Sequence, residues 1–326
     1  GVQAMRADRS LRNNGIPYSG RGIGVVVNDS GVDGSHGDLV FPDHVVQNVL
    51  AQTNLHSVSS ILPITYQEDV TNTDIGGGHG THVASIAGNS DYDVYGNFYG
   101  VAPNAALVGI KAFDAQGRAT YADVIRGIDW ALQVKDQINL RVLNMSFSGP
   151  VRSHYWDDPL NQAVMKAWQA GIVVVASAGN TGPEPMTIGV PGNVPYIITV
   201  GAMTDNYTDG STYDDKLATF SSAGPTVEAF VKPEIVAPGG HLSGLMSYDS
   251  QIVQDHPEFH DGGRYFEMSG TSQAAGVVSG VVALMLTQDP TLTPDEVKCR
   301  LMDSATPLNL QGTTQPDDIF KQGAGV

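Results

Sequence analysis

The sequence predicts an α/β fold, a three-layer α/β/α arrangement with a mainly parallel central sheet. Short runs rich in Val and Ile alternate along the chain with segments whose apolar residues recur at three- and four-residue spacing. The short runs are apolar throughout, which is typical of parallel strands buried on both faces. Polar residues follow several of these runs, at the strand ends where ligands bind in such sheets.

Five segments have the composition of buried strands. They are rich in β-branched residues and are bounded by Gly, Asn or Asp. In chain order they are 22–27, 105–113, 141–148, 171–180 and 196–203. Parallel pairing of such strands requires a crossover connection between them, and the segments between most of them are long enough to provide one.

Helical segments stand between or after these runs. They are 79–88, 119–135, about 159–170, and two final helices that begin near Ser272 and Pro294. The last is the most clearly signalled, because TPDE at 293–296 is a capping box with Pro at the first helical position. Polar stretches that we expect to be surface insertions are 44–76, 89–98, 205–216 and 241–266. No repeat or linker divides the chain, so we expect residues 1–326 to form one domain.

The charge balance limits the partners of the protein. The 326 residues include 17 basic and 34 acidic ones, which gives a formal net charge of −17 and a pI near 4.6. Nucleic acids and anionic membranes are bound through basic patches, so we expect neither as a partner. No apolar run approaches the length of about 18 residues that a membrane span needs. The single cysteine, Cys299, excludes an intrachain disulfide.

Two histidines lie in a setting suited to catalysis. His79 and His82 occur in GGGHGTHVA, a glycine-rich helix entry where a side chain can approach a cleft. Activating a serine requires a neutral imidazole within hydrogen-bond reach and a carboxylate that fixes its tautomer. The same two histidines share one helix face and could instead bind a catalytic zinc ion together with Asp29, although the HExxH pattern is absent.

Three further polar residues follow or precede apolar runs. Asp29 in VVVNDSGVDG is a candidate carboxylate or a turn former, and Asn180 in ASAGNTG is a candidate oxyanion donor or part of a turn. The stretch SGTSQAAG precedes a long apolar run, so a hydroxyl there is either a helix N-cap or a nucleophile. Each signal is weak alone. Together they supply a carboxylate, an imidazole, an amide and a hydroxyl at places that a parallel sheet brings to one edge.

The motifs NDSGVDGSHGDL, GGHGTHVAS and SGTSQAAGVVSG resemble the three catalytic blocks of the subtilisin-like serine proteases, in that family's order Asp, His, Ser. Further matches such as YGVAPNAAL, VLNMSFSGP, VVVASAGN and KPEIVAPGG extend the resemblance from about residue 20 to 308. The resemblance implies a subtilisin-like fold and a serine endopeptidase that forms an acyl-enzyme.

The resemblance also assigns a role to each candidate. Asp29 would orient His79, and His79 would take the proton of Ser272 and pass it to the leaving amine. Asn180 would complete the oxyanion hole with the backbone N–H of Ser272. His82 would then be structural.

The way in which a peptide binds is likewise implied by the resemblance. The expected lining residues are Ser146, Phe147 and Ser148 for one wall of the first specificity pocket, Ser177, Ala178 and Gly179 for the opposite wall, Gly189 for its floor, Gly117 for a second backbone-pairing segment, and Tyr121 and Val124 for a more distant apolar pocket. A glycine floor leaves room for a large apolar or aromatic side chain before the scissile bond. Binding of the substrate as an added strand predicts broad specificity.

Several positions depart from the family pattern. Gln273 follows the nucleophile where Met is usual, and Gly276 and Val277 replace a Pro-His pair. Asn28 precedes the candidate aspartate where a hydrophobic residue is usual. Ser148 replaces a glycine, and we expect it to narrow the mouth of the first pocket. No departure removes a catalytic group.

The family often contains a structural calcium site that uses a carboxylate shortly after the Asp block. Asp38 matches that carboxylate, but the loop 88–100 does not match the usual second half of the site, and its candidate ligands are only Asn89, Asp91 and Asp93. Calcium is therefore a possible cofactor, and no organic cofactor is expected. The family also implies polypeptide substrates, an N-terminal propeptide in the precursor, a monomer and secretion from the cell.

Other functions stay open at this point. A non-catalytic binding protein on the same scaffold is suggested by Gln273, Gly276 and Val277. A metal-dependent hydrolase would use Asp29, His79 and His82. A serine esterase is disfavoured, because the Gly-x-Ser-x-Gly elbow is absent around the candidate nucleophile.

Overall fold

The computed structural model describes residues 16–51, 66–207, 214–309 and 315–326. The insertions expected at 44–76 and 205–216 therefore lie partly outside the described residues. Among the helices of these four ranges, none combines the length and the apolar composition that crossing a bilayer requires.

An eight-stranded sheet forms the centre of the molecule. Its strands are β1 (Gly24–Asp29), β2 (Val45–Leu50), β3 (Ala106–Lys111), β4 (Leu140–Met145), β5 (Val173–Ser177), β6 (Ile198–Thr204), β7 (Lys216–Leu217) and β8 (Ile235–Pro238). The order is β2-β3-β1-β4-β5-β6-β7, and β8 also pairs with β6. Every pairing is parallel except that of β6 with β7. The expected mainly parallel sheet is confirmed.

Helices cover both faces of this sheet. They are α1 (His79–Gly88), α2 (Tyr121–Val134), α3 (Pro159–Gln169), α4 (Gln251–Asp255), α5 (Thr271–Gln288), α6 (Pro294–Ser304) and α7 (Ile319–Gln322). Helices α1 and α5 pack against each other and the sheet, whereas α2 and α3 form a second pair that contacts β1 and β5. This is the expected three-layer α/β/α fold. The capping box predicted for α6 is present, with Thr293 and Glu296 satisfying each other's backbone N–H groups.

Helix α5 is buried around most of its circumference, because it lies between α1 and the sheet. Small residues permit this close approach. A Cβ added to Gly276 would lie 3.2 Å from the carbonyl oxygen of Val83 in α1, and Val277 is fully buried. The Gly276 and Val277 departures therefore belong to helix packing.

Two stretches that the sequence predicts to be surface insertions contain strands. Strand β2 lies at the edge of the main sheet within 44–76. The polar residues Gln47 and Asn48 interrupt its apolar pattern, but Asn48 is fully buried and satisfied, donating to the carbonyl oxygen of Val32 (2.7 Å) and accepting from Thr73 Oγ1 (2.6 Å). Within 241–266, β9 (Leu242–Leu245) pairs antiparallel with β10 (Tyr265–Met268), and α4 lies between them.

Candidate active site

One edge of the sheet gathers the candidate catalytic residues. Asp29 is the last residue of β1, and Ser146 and Asn180 follow the ends of the neighbouring strands β4 and β5. His79 is the first residue of α1, and Ser272 is the second residue of α5. Parallel strands bring their carboxyl ends to the same edge, which explains how residues far apart in sequence meet there.

Asp29 and His79 form a direct pair. The Nδ1 atom of His79 lies 2.8 Å from Oδ1 of Asp29, and the backbone N–H of Ser30 donates to the same oxygen at 2.7 Å. The carboxylate is almost fully buried, whereas the imidazole is 28% exposed. Because Nδ1 donates its proton to the carboxylate, Nε2 is the basic nitrogen that is left to accept a proton.

The carboxylates around His79 set its pKa. Burial lowers this pKa, but the charge and hydrogen bond of Asp29, together with the charge of Asp74, more than offset burial, so the pKa is raised above the ordinary 6.5. His79 is thus both a stronger base and a more stable imidazolium than an isolated histidine.

Asp74, a residue that sequence analysis did not single out, supports this pair. Its buried carboxylate accepts from Ser30 Oγ (2.7 Å), from the backbone N–H of Gly78 (2.9 Å) and Thr81 (3.0 Å), and from the Thr81 hydroxyl. Burial raises the pKa of Asp74, although these hydrogen bonds oppose the shift. The carboxylate therefore fixes the start of α1, where His79 lies. An Asp a few residues before a helix entry was the only signal for it.

Ser272 makes a reciprocal contact with Ser146. Ser272 Oγ donates to the carbonyl oxygen of Ser146 at 2.9 Å, and Ser146 Oγ donates to the carbonyl oxygen of Ser272 at 2.9 Å. Among the described residues no hydrogen bond joins Ser272 to His79. A serine hydroxyl changes its direction by rotation about its Cα–Cβ bond, and catalytic hydrogen bonds often form fully only when substrate binds.

No hydrogen bond within the described residues occupies the amide nitrogen of Asn180. Its Oδ1 accepts from the backbone N–H of Thr271 (3.0 Å) and from the Thr271 hydroxyl (2.9 Å). This fixes the opposite atom, Nδ2, which lies 3.5 Å from the position of a Cβ on Gly270. The donor therefore lies beside the start of α5, whose N-terminal dipole also favours a negative charge.

His82 does not join Asp29 and His79. Its Nε2 donates to the carbonyl oxygen of Phe266 at 2.9 Å, and its ring packs against Gly244, under the β9–β10 hairpin. Burial lowers the pKa of His82 to about 4, so the ring is neutral. The described residues contain no group of three or more His, Cys, Asp or Glu side chains placed to hold a metal ion. The zinc hypothesis built on these three residues is wrong.

Gln273 and Asn28, two of the unusual residues, point into the protein. Gln273 is 1% exposed, and its Nε2 lies 3.4 Å from Nδ1 of His82 and 3.1 Å from the sulfur of Met268. Asn28 is fully buried and donates to the carbonyl oxygen of Val124 at 3.1 Å. Both side chains therefore contribute to packing around the site.

A cavity of about 430 Å³ opens beside the Asp29–His79 pair. Residues lining it include His79, Phe113, Gly117, Phe147 and Ile252. Ile252 belongs to α4, which is held over the loop before His79 because the backbone N–H of Gln251 donates to the carbonyl oxygen of Gly76 at 2.9 Å. The sequence did not predict that the 241–266 stretch contributes a wall of this cavity.

The residues expected to line a distant apolar pocket lie on α2. Tyr121 is 37% exposed, and its hydroxyl donates to Asp158 Oδ2 at 3.0 Å. Burial and this carboxylate raise the pKa of Tyr121 to about 12. Val124 is 3% exposed and belongs to the main core.

The expected calcium ligand Asp38 contacts an arginine instead. Its Oδ2 lies 2.5 Å from Nη1 of Arg264, and Nη2 of the same guanidinium lies 3.0 Å from Oδ2 of Asp91. The cation of Arg264 therefore bridges the two carboxylates that calcium would bridge. Asn89 and Asp93 accept hydrogen bonds from backbone N–H groups of their own loop. This donor set does not fit a calcium ion, which needs six to eight oxygen ligands.

Comparisons with known proteins agree with this geometry. A model of the subtilase family matches residues 20–325. Serine protease AprX of Bacillus subtilis (strain 168) is 39% identical over 307 residues, which are 91% of this chain and 64% of AprX. Subtilisin DY of Bacillus licheniformis is 35% identical over 328 residues, which are 100% of this chain and 95% of the relative.

Solved structures give the same result. Sphericase superimposes with a TM-score of 0.78 at 26% identity, covering 100% of this chain and 96% of its own. The structure named S41 psychrophilic protease superimposes with a TM-score of 0.75 at 27% identity, covering 99% of this chain and 96% of its own. The chain belongs to the subtilase family.

Proposed function

We propose that this protein is a serine endopeptidase in which Ser272 is the nucleophile, His79 the general base and acid, Asp29 the group that orients His79, and Asn180 an oxyanion donor. The observation that carries the proposal is the 2.8 Å Asp29–His79 pair at the sheet edge where α5 presents Ser272. A carboxylate, an imidazole and a hydroxyl so arranged are the parts that nucleophilic acyl transfer requires.

The first half of the reaction forms an acyl-enzyme. Nε2 of His79 accepts the Ser272 proton while Oγ bonds to the substrate carbonyl carbon. The carbonyl oxygen becomes an oxyanion, to which Asn180 Nδ2 and the backbone N–H of Ser272 donate. His79 then gives its proton to the amine as the C–N bond breaks, which leaves the acyl group on Ser272.

The second half releases the acyl group. A water molecule gives a proton to His79 while the water oxygen attacks the ester carbon. His79 then returns a proton to Ser272 Oγ as the bond from Oγ to the acyl carbon breaks and the acid leaves. Asp29 keeps its charge throughout and balances that of the imidazolium. The buried position of Asp29 strengthens this electrostatic support, because water screens it little.

Substrate would bind as an extended strand between the segments that begin at Gly117 and Ser146. In such β-augmentation the protein forms hydrogen bonds with the backbone of the substrate, which supports broad specificity. The side chain directly before the scissile bond would enter the gap between 146–149 and 177–179, and the cavity beside His79 would take a side chain farther from that bond. Tyr121 and Val124 are proposed to line a pocket farther along. Secretion, an N-terminal propeptide and a monomeric state are part of the same proposal and rest on the family resemblance.

The decisive experiment is Ser272→Ala. We expect the variant to fold like the wild type and to lose peptide hydrolysis, because the proposed nucleophile is gone. A sulfonyl fluoride should label the wild type covalently and leave Ser272→Ala unlabelled. Ser153→Ala, an exposed serine outside the site, is the matched control and should retain activity. Wild-type hydrolysis by Ser272→Ala would contradict the proposal.

One observation favours a second function, a peptide-binding protein without catalysis. Ser272 Oγ donates to the Ser146 carbonyl oxygen, and the described residues show no hydrogen bond from it to His79. If this arrangement persisted with substrate, the hydroxyl would not be activated. A peptide library distinguishes the two functions: binding without cleavage by folded wild-type protein supports the second, and cleavage supports the first.

A further inference from the structure

Under the proposed function, the position of the scissile carbonyl determines where the preceding side chain goes. The carbonyl carbon must approach Ser272 Oγ, with its oxygen toward Asn180 Nδ2. The family resemblance implies that the side chain of the residue before the scissile bond then enters the gap between 146–149 and 177–179, the segments that follow β4 and end or follow β5. These two segments are joined, because Ser177 Oγ donates to the carbonyl oxygen of Phe147 at 3.0 Å.

Gly189 closes the far end of this gap. Its neighbour Val190 exchanges two backbone hydrogen bonds with Gly149, of 2.8 Å and 2.9 Å. Its own N–H donates to the carbonyl oxygen of Ala178 at 3.4 Å. Gly189 is therefore tied to both walls. A bare glycine here is the basis for expecting room for a large side chain.

The Ser148 hydroxyl fills that room. A Cβ placed on Gly189 would clash with Ser148 Oγ and would lie 2.5 Å from the carbonyl oxygen of Gly149. A Cβ placed on Gly179 would lie 3.0 Å from Ser148 Oγ and 3.4 Å from Ser148 Cβ. The hydroxyl thus stands directly over the floor and against the opposite wall. Ser148 is also exposed, so a bound substrate could reach it.

We infer that Ser148 sets the depth of the first specificity pocket and that the protein selects small side chains, such as Ala or Ser, before the scissile bond. A leucine or phenylalanine side chain must displace the hydroxyl from Gly189 in order to enter. This inference rests on the proposed function and reverses the preference for large apolar residues that the glycine floor alone predicts.

The test uses fluorogenic peptides that differ only in having Ala, Leu or Phe before the scissile bond. We expect wild-type kcat/KM to fall in that order. Ser148→Gly should raise the Phe-to-Ala ratio of kcat/KM by about 10- to 200-fold, the range that small changes of volume in a specificity pocket produce. Ser148→Ala removes only the hydroxyl and should raise the ratio by less. Ser153→Gly, which changes an exposed serine outside the pocket, should leave the ratio unchanged.

Two results would overturn the inference. One is a wild-type enzyme that cleaves the Phe peptide as well as the Ala peptide, and the other is an unchanged ratio in Ser148→Gly. Either result leaves the proposed function standing, because hydrolysis is still observed. Failure of folded wild-type protein to hydrolyse any peptide would instead overturn both.

Discussion

Two buried ion clusters in the described part of the chain differ in how fully their charges are satisfied. In the proposed catalytic cluster, which is Asp29 and His79, Asp29 Oδ2 is buried and has no hydrogen-bond partner among the described residues. In the second cluster, beside β6 and β8, Lys232 is 0% exposed and its Nζ donates to Glu234 Oε2 (2.8 Å), Thr199 Oγ1 (3.0 Å) and the carbonyl oxygen of Ile197 (3.1 Å).

Glu234 completes the second cluster. It accepts from the backbone N–H of Thr199 and from Nζ of Lys298, each at 2.8 Å. Burial lowers the pKa of Lys232, and the charge of Glu234 opposes that shift. Every charge in this cluster therefore has fixed partners on the surrounding strands and on α6.

Under the proposed function, the difference separates buried charges that stabilise the fold from those that take part in the reaction. A fully bonded cluster holds chain segments in register and has no capacity left for a ligand. The catalytic cluster keeps an unsatisfied carboxylate oxygen and an imidazole at the wall of a cavity. Substitutions of Asp29 or His79 should mainly change activity, and substitutions of Lys232 or Glu234 should mainly change stability.

The largest effect is expected for Asp29→Asn. Loss of the carboxylate removes the charge that stabilises the imidazolium, and we expect kcat/KM to fall by on the order of 10⁴-fold, or about 5.5 kcal/mol of transition-state stabilisation. Peptide hydrolysis and thermal unfolding should be measured together, with exposed Asp43→Asn as the control. A decrease in kcat/KM of less than tenfold would remove the contrast between the clusters. So would a loss of activity that is fully explained by unfolding of the variant.

The next effect is expected for Lys232→Met. Removing the ammonium leaves the Glu234 charge with only part of its partners, and we expect the free energy of unfolding to fall by about 3–5 kcal/mol. Activity per folded molecule should stay unchanged. Denaturant unfolding measures the loss, and Lys135→Met, at a surface pair with Asp136, serves as the control. Adding Glu234→Gln should recover part of the stability. No recovery in the double variant would argue against a charge effect.

A smaller effect is expected in the pH profile. His79 must be neutral to accept a proton, and its pKa is raised, so kcat/KM should fall about tenfold per pH unit once the pH drops below that raised value. In Asp29→Asn, burial still lowers the pKa of His79 and the charge of Asp74 still raises it, but the charge of Asp29 is lost, so this fall in kcat/KM should move to lower pH. If kcat/KM fell at the same pH in Asp29→Asn as in the wild type, a group other than His79 would control this pH dependence.

The raised pKa of His79 also affects the free energy of unfolding, but this contribution decreases as the pH rises, whereas kcat/KM decreases as the pH falls. Because the folded pKa of His79 lies above the unfolded one, its contribution is fully present below the ordinary value of 6.5 and is lost as the pH rises through the folded pKa. The pH dependence of the unfolding free energy should therefore be weaker in His79→Gln than in the wild type across that window. Equal slopes would contradict the assigned shift.

The smallest effect is expected for Arg264→Ala. The guanidinium is 48% exposed, so solvent screening limits its ion pairs and we expect a loss of about 1 kcal/mol or less. The variant removes the guanidinium from Asp38 and Asp91, so added calcium should raise its melting temperature more than that of the wild type. Arg118→Ala, which breaks an exposed pair with Asp114, is the control. Equal calcium stabilisation of wild type and variant would show that Arg264 does not replace the ion.

Local patterns in the sequence predicted most of the fold. The apolar runs that became β1, β3, β4, β5 and β6 are buried on both faces, so their composition was unambiguous. Strand β2 was missed because buried Asn48 resembles a loop residue until its partners Val32 and Thr73 are known. Satisfaction of a buried polar group depends on residues distant in sequence, which periodicity does not record.

For the site, the sequence by itself determined which chemical groups are available and the edge at which they gather, because motif order and strand ends follow from the chain alone. Tertiary structure alone decided what surrounds them. It placed Asp74 against the start of α1, the Ser148 hydroxyl beside Gly189, and Arg264 against Asp38, a residue 226 positions away. Such contacts depend on side-chain direction and on packing between segments, and neither is encoded in any one stretch of sequence.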